Sequence, residues 1–191
     1  MNMQQAIMSG YRKYFTRSGR APRSEYWYFF LFYLLLFIAG QLLRLLGTHI
    51  WTRDHSDIPS FFLFIVSIGF SLAVLASIIP LLMVTVRRVH DIGRTGWWVG
   101  ASFINGILLD VVLGYVMARA AIMHNAHNLQ AGMPSGGMII ILSILGLIGL
   151  VLGITIFVFT VLPGSPGENR YGPNPLGSHA TPVSGDQRDR S

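Results

Sequence analysis

Four long stretches of the chain are apolar, and short polar segments separate them. The first runs from Tyr26 to about Gly47. The second runs from Ser60 to Val86, inside an uncharged run that starts at Ile58. The third, Trp97 to Ala118, is interrupted by Asp110, and the fourth runs from Met138 to Leu162. A helix needs about 20 apolar residues to cross a hydrocarbon core about 30 Å thick, and each stretch is long enough. The pattern predicts an all-α integral membrane protein with four transmembrane helices, at 26–47, 60–86, 97–118 and 138–162. Residues 1–25 form a basic N-terminal segment. Within 3–15, Met3, Ile7, Tyr11 and Tyr14 recur at helical spacing beside Arg12, Lys13 and Arg17. That spacing predicts an interfacial helix, with a frayed basic arm as the alternative. The first apolar run is too long for the core of a signal peptide, and no A-x-A-like site follows it. After Leu162 the chain turns rich in Pro and Gly. Pro163 ends the last helix, and the cytoplasmic tail 163–191 is expected to be disordered beyond about residue 175.

Composition narrows the class. Apolar residues make up 52% of the 191 and charged residues 12%, half the usual share of about 25%, with a mean hydropathy of +0.53. A disordered chain needs the opposite balance, and a soluble domain could not hide so much apolar surface. Fourteen Lys and Arg against eight Asp and Glu give +6. Sorted by loop, eleven basic residues fall on one side of the predicted spans (Arg12, Lys13, Arg17, Arg20, Arg23, Arg87, Arg88, Arg94, Arg170, Arg188 and Arg190). Three fall on the other (Arg44, Arg53 and Arg119). Positive loops stay inside, so both termini are expected in the cytoplasm. The basic excess then reads as topology and contact with anionic lipid rather than with nucleic acid. Cysteine is absent, which excludes disulfides, thiolate metal sites and a cysteine nucleophile.

Several polar groups sit inside or beside the spans. Arg44 lies 18 residues past Tyr26, about 27 Å at 1.5 Å per residue, and is expected to snorkel to the outer interface. Asp110 sits 13 residues beyond Trp97, about 20 Å deep. It is the candidate intramembrane site, able to relay protons or hold a cation, against a structural carboxyl as the plainer reading. His124 and His127 in the outer loop read as exposed polar residues. Small residues (Gly69, Ala73 and Ala76; Gly106 and Gly114; Gly146, Gly149 and Gly153) mark faces for close helix packing, and Pro80 is expected to kink the second span.

Three charged segments meet the cytoplasmic side. Gly19–Trp27 (GRAPRSEYW) enters the first span, Arg87–Trp98 (RRVHDIGRTGWW) joins the second to the third, and Pro163–Gly172 (PGSPGENRYG) leaves the fourth. In this order they resemble the signature of a bacterial inner-membrane family called domain of unknown function 805, the YhaH-type proteins. The resemblance covers roughly residues 10–175. It implies an inner-membrane address and no assigned activity, and it makes the stretch around Asp110 to Gly137 look like an expansion. From the residues themselves the candidate polar cluster is Arg20, Arg23, Glu25, Arg87, Arg88, His90, Asp91, Arg94, Glu168, Asn169 and Arg170. Glu25, Asp91 and Glu168 can each pair with an Arg from another segment. The surplus Arg can grip phosphate bidentately.

The reading is a non-enzymatic membrane module. Its cytoplasmic cluster clamps the helices and contacts anionic headgroups or a partner protein, either another membrane protein or a second copy of the chain. No catalytic residue, cofactor or metal is expected. A small transporter or ion-conducting oligomer using Asp110 is the alternative, and a lipid-modifying enzyme using His90 and Asp91 the third.

Overall fold

The computed structural model describes residues 1–54, 57–125 and 134–177, with only the backbone described for 51–54, 57–60 and 124–125. The tail from residue 178 on lies outside the described residues, as do His127 and the side chain of His124. Five helices are present among the described residues: α1 (Met3–Arg12), α2 (Arg23–Asp54), α3 (Asp57–Asp91), α4 (Trp97–Asn125) and α5 (Gly136–Val161). There is no β-strand among them, only an isolated bridge between Asn169 and Gly172. Four of the helices, α2 to α5, are long and apolar enough to cross a membrane. The helices outrun the apolar stretches inside them. Hydropathy marks what lipid tolerates, whereas a helix continues until a breaker, here Pro22 before α2 and Gly93 (φ +75°) after α3.

The chain divides into two compact units, residues 1–93 with 163–191, and residues 94–162. In the first unit α2 and α3 pack side by side and α1 rests on both. Asn2 and Gln5 form a reciprocal capping box at the start of α1, which satisfies donors that a short helix otherwise leaves open. The frayed-arm alternative is therefore set aside. Ala6 and Gly10 lie at the contact and are buried. A Cβ at Gly10 would run into the Phe29 ring, so glycine is what permits this approach. Around it Ala21, Tyr26, Phe29 and Val84 form a small core, flanked by Trp27, Phe30 and Leu81. Elsewhere the apolar side chains point outward: Leu35, Leu72, Val111 and Leu147 are each more than half exposed. Polar groups are inside and apolar groups outside, the arrangement suited to lipid.

Pro80 explains how α1 is attached to α3. A proline inside a helix removes one N–H and leaves the carbonyl four residues earlier without its partner. That carbonyl belongs to Ala76, and it accepts a hydrogen bond from the Tyr14 hydroxyl at 2.7 Å. One residue on, the Ser77 hydroxyl donates to Ala73 O at 2.6 Å and meets the Tyr11 hydroxyl at 2.6 Å. Two tyrosines that follow one another by three residues thus cover the break made by the proline, as neighbouring groups do in membrane helices.

In the second unit α4 and α5 pair. Buried Asn105 on α4 donates from Nδ2 to Leu145 O on α5 at 3.2 Å. A Cβ at Gly149 would lie 2.9 Å from that amide nitrogen. The small residue at 149 therefore makes room for an interhelical hydrogen bond.

The proline geometry gives a double-mutant test. Tyr14→Phe should lower stability in detergent by about 1 kcal/mol, the usual net worth of such a bond. In the Pro80→Ala background Ala76 O regains an intrahelical donor, so Tyr14→Phe should cost clearly less. Equal costs in the two backgrounds, measured by reversible thermal or denaturant unfolding, would show that the tyrosine does not serve the proline break.

Candidate functional site

The charged end of the first unit is built around the C-terminus of α3. The last carbonyls of any helix lack intrahelical donors, and here side chains and loops supply them. Asp91 O accepts from the Ser165 backbone N–H at 2.9 Å and from the Ser165 hydroxyl at 2.8 Å. His90 O accepts from Gly93 N at 2.9 Å and from Asn169 Nδ2 at 3.0 Å. One turn earlier, Arg87 O accepts from Ala21 N at 3.0 Å. The segment before α2 and the segment after α5 therefore both close on the same helix end.

Arg20 ties these pieces together. Its Nε donates to Asp91 Oδ1 at 2.8 Å. Nη1 donates to Gly167 O at 2.6 Å and Gly172 O at 3.3 Å, and Nη2 to Ser165 O at 2.6 Å and Asp91 O at 3.4 Å. A guanidinium has five N–H groups, and all five are used. Arg88 donates to the other Asp91 oxygen. Gly164 packs directly against this carboxylate, and a Cβ there would clash with Asp91 Oδ2.

A second buried pair lies alongside. Arg87 Nη1 donates to Glu25 Oε1 at 2.9 Å, and the Ser9 hydroxyl of α1 donates to the same oxygen at 2.9 Å. Lys13 stands 3.9 Å away. Arg87 is 1% exposed, yet its Nε and Nη2 have no hydrogen-bond partner among the described residues. His90 stacks face to face on Tyr171, with centroids 3.8 Å apart and planes 2° off parallel. Arg170 sits over the Tyr171 ring at 4.8 Å and donates to Gly93 O at 3.2 Å. His90 Nδ1 is buried without a partner among the described residues.

Of the sequence candidates, Arg20, Glu25, Arg87, Arg88, His90, Asp91 and Asn169 come together. Arg23 and Arg170 are exposed at the rim. Glu168 departs from expectation. It is exposed and makes no ion pair among the described residues. The turn that carries it instead offers the Arg20 guanidinium backbone carbonyls, which bond it without a second buried carboxylate. Arg94 is exposed and belongs to the second unit, as does Asp110, which is exposed on α4 without a hydrogen bond or ion pair among the described residues. Among the described residues no three His, Asp or Glu side chains gather as a metal would need. Ser9, Gly164, Ser165 and Tyr171 were not among the candidates. The last three lie inside the third motif, which is the signal that could have marked them. Ser9 carries no signal of its own.

The comparisons agree with the motif order. A family model described as "Protein of unknown function (DUF805)" matches residues 14–173. The inner membrane protein YhaH of Escherichia coli (strain K12) is 26% identical over 165 residues, covering 86% of this chain and 90% of that protein. The inner membrane protein YhaI of the same organism is 29% identical over 100 residues, covering 52% of this chain and 72% of that protein. No solved structure matches. Three ordered motifs that close on one helix end and a family match across most of the length place the chain in the DUF805 family, among relatives named as inner membrane proteins.

Proposed function

We propose that the protein is a non-enzymatic module of the bacterial inner membrane, with both termini cytoplasmic. Its Arg/His/Asp/Glu cluster clamps the ends of α2 and α3 to the segment after α5 and meets anionic lipid headgroups at its rim. The observation that carries the clamp is Arg20, whose five N–H groups all end on Asp91 or on carbonyls of the 163–172 segment. The headgroup half rests on charge. The buried set holds three guanidiniums, Arg20, Arg87 and Arg88, against two carboxylates, Glu25 and Asp91. Arg23 and Arg170 add two exposed cations at the rim. An excess of this sign on the cytoplasmic face attracts anionic lipid, at about 1 kcal/mol per basic residue near the surface. A catalytic reading is less favoured because a general base must reach a substrate proton. The Asp91 carboxylate already accepts two arginines, and Glu25 accepts one arginine and a serine.

Two sets of variants test the two halves separately. Arg20→Lys keeps the charge but offers three donors in place of five. It should lower unfolding free energy by about 2 kcal/mol, the cost of buried carbonyls left without their donors. Gly164→Ala should lower the melting temperature through the clash with Asp91 while leaving every charge in place. Wild-type melting in both would remove the clamp. For the rim, Arg23→Gln with Arg170→Gln, which leave the Arg20–Asp91 bonds in place, should bind phosphatidylglycerol vesicles about tenfold more weakly at low salt. Equal binding would remove the headgroup contact and leave the clamp standing.

A further inference from the structure

A second polar site lies far from the cluster, in the groove between α2 and α3. Gly40 brings the helices close there: a Cβ on it would sit 3.1 Å from the Phe70 Cβ. Beside this contact opens a cleft of about 210 Å³, lined by Phe37, Gln41, Arg44, Ser71 and Val74 together with Gly40 and Phe70. A water occupies about 30 Å³ in the liquid, and drug-sized pockets start near 300 Å³. The cleft therefore holds one compact polar group rather than a whole small molecule.

Its chemistry has one sign. Arg44 and Gln41 make no side-chain hydrogen bond or ion pair among the described residues. The Ser71 hydroxyl hydrogen goes to Ser67 O at 2.9 Å. No Asp or Glu occurs in α2 between Glu25 and Asp54, or in α3 between Asp57 and Asp91. Arg44 thus has no acid of its own helix pair to pair with inside the span. Arg44 and Gln41 both line this cleft, and together they can offer an anion a bidentate fork and a second hydrogen bond.

Depth identifies the anion. Arg44 lies 21 residues after Arg23 along α2, and Ser71 lies 20 residues before Asp91 along α3. At 1.5 Å per residue both positions are about 30 Å from the charged cluster. That is the thickness of the hydrocarbon core. With the cluster at one membrane surface, the cleft opens at the other, where lipid phosphates are the abundant anions. We propose that the α2–α3 cleft at Arg44 binds the phosphate of a phospholipid from the leaflet opposite the Arg20–Asp91 cluster. Gln41 supplies a second donor and Phe37 and Val74 flank the head. A freely snorkelling arginine would need no cleft, and this one lies beside a tight helix contact at Gly40.

The test is native mass spectrometry of the full chain, purified in detergent and titrated with phosphatidylglycerol. Arg23→Gln/Arg170→Gln serves as the background, so that lipid at the rim of the cluster does not enter the reading. Arg44→Ala should weaken the remaining lipid about tenfold. Val74→Trp, which keeps Arg44 but fills the cleft, should weaken it similarly. Arg44→Lys should lie between wild type and Arg44→Ala. Unchanged titrations in Arg44→Ala would overturn the site. So would a loss in Arg44→Ala with none in Val74→Trp, which would assign the contact to a free side chain. A dimer that becomes monomer in Arg44→Ala with an unchanged lipid titration would give the cleft to a second copy of the chain and overturn the lipid assignment.

Discussion

Burying a guanidinium away from water is costly unless every donor is met. Arg20 meets that condition with Asp91 and four carbonyl contacts spread over two segments more than 70 residues apart in sequence. The rest of the charged end depends on this one side chain. Removing it would leave the Asp91 carboxylate with Arg88 alone, and four backbone acceptors of the 163–172 turn and the α3 terminus would lose a donor. Ser165 and Asn169 then add bonds to the same helix end.

The ion pairs are poor evidence for stability as such. A buried pair often does no better than apolar residues of the same volume, and its clearer use is to specify one arrangement. That distinction matters for a membrane chain. Lipid tails compete equally for apolar helix faces, so helices in a bilayer lack a strong hydrophobic reason to choose one partner or one register. The outward-facing leucines and isoleucines of α2 and α3 give little direction. Arg20–Asp91 and Glu25–Arg87 do: sliding α3 by one turn would break both pairs, separating Arg20 from Asp91 and Arg87 from Glu25 while Arg88–Asp91 moved with the helix. Tyr14 on the Ala76 carbonyl and Gly40 against Phe70 point to the same register along the pair.

Much of this was legible in the sequence. Four apolar stretches gave four long apolar helices because lipid compatibility needs only length and hydropathy. The three motifs named the segments that meet. What they could not name was the pairing inside the cluster. Glu168 was expected to find an arginine, but in the structure carbonyls of its turn bond Arg20 while Glu168 itself faces outward. Backbone acceptors are the same at every residue, so a composition of charged side chains overstates ion pairing and is blind to this alternative. Asn105 was missed for a related reason. A lone amide in an apolar run reads as an interruption until its partner, a carbonyl on another helix, is known. Ser9 belongs with it: its hydroxyl reaches Glu25 only because Ala6 and Gly10 let α1 lie close to α2.

The arginines also resolve an electrostatic conflict at the end of α3. A helix C-terminus carries partial negative charge, which disfavours a carboxylate in its last turn. Asp91 is the final residue of α3. Arg88 on the same turn and Arg20 from the preceding segment reverse the local sign, and Arg170 donates to the Gly93 carbonyl just beyond. These residues are also the ones counted in a positive-inside argument. In this chain the charge that reads as topology and the charge that caps a helix are the same side chains. Replacing one of these arginines by a neutral residue therefore weakens the cap and removes a positive charge from the loop side together. Arg→Lys changes at 20 and 88 separate the two effects: they keep the charge count and lose the planar fork, so altered stability with unaltered orientation would assign these arginines to the cap.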